Sequence, residues 1–349
     1  MAGFRDELRD AVTGRAFLLV LGVLLLQFGF IASYLGAFHD PTPRKIPIAV
    51  VAPQGSPAGT AVSAAAQLNA VPGEPLKARA ASSTAVGRAL LHDRTVYGVL
   101  NLGANGTDQL QVTSAAGAAV STAVETVVSA ADRSRGRELT VVDAIPAGQG
   151  DARGLSAFYL VVGWVVGGYL VAAILGLAGG ARPANRSRAT IRLGTLAAYA
   201  IVSGAGGALI AETVLSALSG HFVALWWFGA LLVFAVGAFT MALQTLFGTV
   251  GIGVAILLFV ILGNPSAGGA YPSPLLPPFW AAIGRWLPPG AGTDAVRSIV
   301  YYPQASLRQP VLLLVAYALV GAFVTMAITT ARGSTPPIDD RPMTAPATL

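Results

Sequence analysis

From Phe17 to Gly36 the chain runs twenty positions without a charge. Apolar stretches of similar length recur at Leu155–Leu177, Leu193–Leu215, Phe222–Leu243 and Pro310–Thr330. Each is close to the ~20 residues that cross ~30 Å of hydrocarbon. A sixth stretch, Gly248–Leu262, is short and has to be buried by its neighbours. Pro310 suits a first helical turn, where its missing N–H has no intrahelical partner to lose. The first run exceeds the roughly 7–15 apolar residues of a cleaved leader, and no small-residue cleavage site follows it, so it reads as a retained anchor. The pattern predicts an all-α, six-helix transmembrane domain.

Between the first two spans the period changes. Ile46–Val51 and Leu76–Ala81 read as strands, and TVYGVLNL at Thr95–Leu102 is the strongest of them. Asn105-Gly106 signals a turn that returns the chain as a hairpin partner over Asp108–Thr113. Asn105-Gly106-Thr107 also has the form of a glycosylation sequon, which the turn explains equally well. Helices are predicted over Pro57–Asn69, from a Ser83 cap to His92, and over Ala116–Arg133, where Val120, Val124 and Val127/Val128 recur at helical spacing. Glu138–Ile145 closes as a strand. The order β-α-β-α-β-β-α-β gives a small α/β domain, inserted between spans one and two and placed outside the membrane.

Residues 263–309 are too apolar for a plain loop. Pro278–Leu287 is predicted as a short helix with Phe279, Ile283 and Trp286 on one face, stopped by Pro288-Pro289-Gly290. A second short helix is expected from Thr293 or Asp294, apolar at Val296, Ile299 and Val300 and polar at Arg297. Trp280 and Trp286 suit the headgroup belt. The block reads as a re-entrant or interfacial hairpin on the outer side; the other reading is a soluble loop packed on the outer domain. Ahead of the first span, Phe4, Leu8 and Val12 recur at i, i+4, i+8, as in an amphipathic helix on the inner leaflet.

The predicted organisation is therefore an amphipathic helix over 1–15, span one over 16–37, the α/β domain over 38–152 and spans two to five over 153–262. The outer hairpin covers 263–309, span six 310–331, and a disordered cytoplasmic tail 332–349.

Composition supports an integral membrane class. Hydrophobic residues make up 54% of the chain and charged residues 11%, against roughly 25% charged in soluble domains. With no Cys there is no disulfide, no thiolate metal site and no Cys nucleophile. Arginine placement sets the orientation. Arg182, Arg186, Arg188 and Arg192 lie between spans two and three without an acid, whereas the next loop has no Lys or Arg. The Arg loop is thus expected in the cytoplasm, and with six spans both termini join it. The net charge of +6 reads as topology and contact with the lipid bilayer; no basic cluster interleaved with aromatics points to nucleic acid.

A search for chemistry finds little. There is no phosphate-binding G-x-x-x-x-G-K-[ST], no H-E-x-x-H and no G-x-S-x-G. No catalytic residue, cofactor or metal ligand is assigned, and the chain does not read as an enzyme. Glu212 is the one acid within a span. It is either a functional intramembrane carboxylate or a group near the headgroups facing His221 or Arg297. Gly163, Gly167, Gly168, Gly204, Gly206, Gly207, Gly251 and Gly253 let helices approach closely, within one chain or across a dimer seam.

One span, a large α/β insert, then five spans with a hairpin before the last: this layout resembles the ABC-2-type transporter permease superfamily, near the YhgE/Pip-like bacterial membrane proteins. The segments IPIAVVAP, STAVGRALLHDRTVYGVLNL and GNPSAGGAYPSPLLPPFW carry the resemblance. It implies a multi-pass protein of the bacterial cell membrane and a homodimer or heterodimer of permeases served by a separate ATPase. The transported solute is then lipophilic or amphipathic, and its identity is open. By position, Arg182, Arg186, Arg188 and Arg192 become the ATPase-coupling loop, and Phe279, Trp280, Ile283, Trp286 and Arg297 an outer gate. Gly194-Thr195 stands in that loop as in many such permeases, but the Glu that precedes it there is absent. The alternative is an ATPase-independent scaffold or envelope assembly protein whose outer domain binds a protein or lipid partner.

Overall fold

The computed structural model describes residues 13–333. The N-terminal amphipathic helix and the C-terminal tail expected from the sequence lie outside the described residues, apart from 13–15 and 332–333 at the inner edges.

Helix α1, Gly14–Phe38, begins where the Thr13 hydroxyl accepts the Ala16 N–H at 3.2 Å. Five strands follow before the next long helix: β1 Ile46–Val51, β2 Leu76–Ala81, β3 Gly98–Asn101, β4 Thr107–Val112 and β5 Glu138–Asp143. They form one sheet in the order β2-β1-β3-β4-β5. Helices α2, Thr60–Asn69, and α3, Thr84–His92, make the crossovers that leave β1 parallel to both β2 and β3. Strand β1 is covered on both faces, which is why IPIAVV reads as a nearly continuous apolar run rather than an alternation. Ser83 caps α3 as expected, accepting the Val86 N–H at 3.2 Å. Strands β3 and β4 pair antiparallel through the Asn105-Gly106 turn. The strand foreseen over Thr95–Leu102 is only four residues long, because Thr95 and Val96 turn back onto the end of α3 through the Leu90 carbonyl. Helix α4, Ala118–Ser134, lays Val120, Val124 and Val128 on the sheet.

At the end of α4 the Asp132 carboxylate is 0% exposed, has no hydrogen-bond donor, and lies 3.7 Å from Arg135. Burial first, and then the charge of Asp108, push it up from 3.8 to about 6. The folded chain therefore keeps this proton to higher pH than the unfolded chain does. The associated stability is complete below pH ~4 and is lost as pH rises through ~6. Asp132→Asn is expected to stabilise the sheet unit by about 1–3 kcal/mol at neutral pH and to leave it unchanged at pH ~4. Thermal melts across that range test this; an equal shift at both ends would show that the carboxylate's charge is not the cause.

The remaining long helices are α5, Ser156–Gly179, α6, Arg186–Leu209, α7, Phe222–Phe247, and α11, Arg308–Gly333. Among the described residues five helices are long and apolar enough to cross a membrane, α1 included. The chain is thus a membrane protein by its helices. The stretch expected as a fifth of six spans is α8, Val250–Ser266, a shorter apolar helix with a wider π-helical segment over Leu257–Leu262.

Helix α7 is the centre of the bundle: 56% of its most apolar window is buried, against 6% for α1. Glycines set the spacing around it. A Cβ on Gly204 of α6 would lie 2.5 Å from the Trp226 carbonyl oxygen, and one on Gly321 of α11 2.4 Å from the Ala238 carbonyl carbon. Gly207 and Gly229 both give way to the Trp164 ring, whose Nε1 donates to the Ser203 carbonyl at 3.2 Å. Most of the small residues thus serve packing within the chain. Gly163 and Gly206 instead border an open groove between α5 and α6.

Candidate functional site

The four arginines between α5 and α6 divide into two pairs. Arg182 folds back on the end of α7, donating to the carbonyls of Thr245 at 3.3 Å and Leu246 at 3.2 Å. Arg192 donates to the Gly179 carbonyl, tying the start of α6 to the end of α5. Asn185 caps α6 by accepting the Arg188 N–H at 2.9 Å. Arg186 and Arg188 are left exposed on the first turn of α6, and among the described residues neither has an acidic partner. Two of the four expected contact residues therefore hold the turn, and two present charge.

Glu212 lies in a π-helical turn, Ile210–Val214, that follows α6. Its Oε1 accepts the Gly220 N–H at 2.7 Å, and its Oε2 is buried without a donor. The contact closes the turn into α7; neither His221 nor Arg297 meets this carboxylate.

The hairpin differs from expectation at its centre. Helix α9 is Pro278–Gly284 and helix α10 is Pro288–Tyr301. The first helix ends at Gly284, ahead of Pro288-Pro289, so the double proline does not stop it. The pair begins the second, because prolines are tolerated in a first turn. Thr293 is consequently inside α10, its hydroxyl donating to the Pro289 carbonyl at 2.8 Å. Helix α9 ends at Gly284, short of the expected Leu287, so Trp286 lies beyond it; Phe279 and Trp286 are each 57% exposed, and Trp280 and Ile283 are half-buried. Helix α10 is nearly all buried, wedged between the long helices and the sheet unit.

Arg297 is the main correction. Expected at the polar position of a short interfacial helix, it is only 4% exposed. Its Nη1 donates to the Gly268 carbonyl at 2.7 Å, and its Nη2 to those of Gly154 at 3.1 Å and Gly269 at 3.3 Å. One guanidinium thus pins the turn after α8 and the segment before α5 onto α10. Burial, and then the nearby Arg94, push it below its ordinary value.

Several partners in this junction carry no sequence signal. Arg94, at the end of α3, makes a 2.7 Å ion pair with Asp294, and donates to the Asp294 carbonyl at 2.8 Å and the Ser298 hydroxyl at 2.7 Å. Burial acts to lower Arg94, but Asp294 prevails and the guanidinium is held above its ordinary value. Tyr302 stacks under Arg94 and hydrogen-bonds Thr113. Tyr301 donates to Asp151 Oδ2 at 2.9 Å, while Asp151 Oδ1 accepts the Ser156 N–H at 2.8 Å and so caps the start of α5. Apart from the Asp151 cap, these hydrogen bonds join residues 150 to 204 apart in sequence, and no local pattern announces them. Tyr301 and Tyr302 within SIVYY are the nearest to a hint, as polar-tipped rings at the end of an apolar helix.

Among the described residues no group of three or more His, Asp or Glu side chains comes together as a metal site requires. Comparison of the chain with family models, curated proteins and solved structures gives no match.

Proposed function

We propose that this chain is the permease subunit of an ABC-2-type exporter, moving a lipophilic or amphipathic solute with energy from a separate ATPase. The reading is supported most by one arrangement: a sheet unit follows the first span-capable helix, and a buried helical hairpin precedes the last. In this reading Val250–Ser266 completes six spans, the sheet unit stands outside the bacterial cell membrane, and the α5–α6 turn faces the cytoplasm. Arg186 and Arg188 then dock the ATPase while Arg182 and Arg192 keep the turn in shape. On the outer side, Phe279 of α9 and Trp286 just after it rest in the lipid boundary. Helix α10 couples the sheet unit to the bundle, so the two move as one gate.

The experiment is co-purification of the detergent-solubilised chain from its native membrane, followed by identification of any bound ATPase. Wild type is expected to bring one down. Arg186→Glu with Arg188→Glu is expected to lose it and to retain normal insertion, since neither side chain holds the fold. Absence of an ATPase with wild type would leave the scaffold reading standing; equal recovery with the double variant would place the docking surface elsewhere.

A further inference from the structure

A cavity of about 210 Å³ lies between the sheet unit and the hairpin, beside the turn after α8. Its wall contains three arginines, Arg94, Arg285 and Arg297, against a single carboxylate, Asp294. That carboxylate is committed to Arg94 at 2.7 Å. Arg297 feels Asp294 only through space; its direct partners are carbonyl dipoles, and among the described residues its Nε is buried without a hydrogen-bond acceptor. A buried ion without a directly paired counter-charge is costly, so the site is built to accept negative charge.

Two further donors belong to residues of the same wall. Tyr97 lines the cavity, and among the described residues its hydroxyl has no hydrogen-bond partner. Gly290 lines it too. Because Pro288 and Pro289 have no N–H, Gly290 carries the first N–H of the 14-residue helix α10, where the helix dipole favours an anion. The volume is below the roughly 300 Å³ at which drug-sized ligands begin, which restricts the guest to a small group. Donors approaching from a helix start, a guanidinium edge and a phenol suit the several oxygens of a tetrahedral oxyanion.

We propose that this cavity binds a phosphate group through Arg297, Tyr97 and the start of α10. Arg285 lines the cavity with its guanidinium 5.3 Å over the exposed Trp286 ring, and α9, which carries the exposed Phe279, ends just before it. A phosphate beside exposed apolar rings has two sources, a phospholipid headgroup or free inorganic phosphate. Neither depends on an ATPase, so the proposal stands apart from the exporter reading.

The full chain, delipidated in neutral detergent, is titrated calorimetrically with inorganic phosphate. In parallel it is reconstituted in nanodiscs of phosphatidylcholine alone or mixed with phosphatidylglycerol, and retained lipid is counted by native mass spectrometry. Saturable phosphate binding identifies the free anion; selective retention of phosphatidylglycerol identifies the headgroup. In whichever arm binds, Tyr97→Phe is expected to weaken binding about tenfold or more, the loss of one hydrogen bond to a charged acceptor. Its ligand-free melting temperature should stay at that of wild type, which keeps the test independent of folding. No binding in either arm, or equal binding by Tyr97→Phe, overturns the proposal.

Discussion

Arg297→Ala is expected to uncouple the sheet unit from the helical bundle and to be among the most damaging single substitutions in the chain. The side chain donates to three carbonyls, those of Gly154, Gly268 and Gly269, which belong to segments more than a hundred residues apart. Alanine removes every one of these donors and leaves a void where a buried side chain stood. A buried carbonyl left without a donor costs about 1–3 kcal/mol, and the void adds to it. A total loss of about 3–5 kcal/mol is expected. Arg297→Lys keeps the charge but has one short point of contact in place of a planar fork, so an intermediate loss should follow. Thermal unfolding in detergent, followed by size-exclusion profile, reads both. A melting temperature for the alanine variant equal to wild type would show that the carbonyls find other partners and that the guanidinium is not the pin.

Gly204→Ala is expected to separate α6 from α7. The added Cβ would lie 2.5 Å from the Trp226 carbonyl oxygen and 2.6 Å from the Ala230 nitrogen. Both are backbone atoms of the central helix, so no side chain can rotate away to make room. Overpacking of this kind costs about 1–3 kcal/mol. In lipid, close packing is itself the main attraction between helices, which removes the usual apolar compensation. Gly194→Ala on the same helix is the control: nothing lies within 4 Å of its Cβ, and alanine is the better helix former by up to about 1 kcal/mol. The first variant should lose stability while the second holds or gains. Equal behaviour of the two would mean that the helices are not held at this distance.

The sheet unit was legible because its signals are local. IPIAVV and LKARAA were placed to the residue as strands, since apolar runs and turn residues bound them on both sides. The Ser83 cap and the antiparallel hairpin followed from one residue and one dipeptide. The long helices were equally plain, as length and apolarity suffice to define them. Val250–Ser266 was harder, because a short apolar run takes its meaning from what covers it, here Leu26 and Gly29 of α1 and Phe239 of α7.

The junction was the part least accessible to local reading. Arg297 stands at a polar position of an amphipathic helix, and the pattern alone sends such a residue to solvent. Only the arrival of Gly154, Gly268 and Gly269 turns that side inward, while the nearby acid, Asp294, pairs directly with Arg94. The double proline after Leu287 was ambiguous in the same way, since proline can end one helix or open the next, and here it only opens one. What the sequence by itself determined is the set of elements: membrane-length apolar helices, the strands and crossovers of one sheet, a hairpin rich in proline and tryptophan. Each depends on the period and composition of a few neighbouring residues. What the tertiary structure alone decided is which polar groups are buried together, because burial depends on segments that meet in space however far apart they lie along the chain.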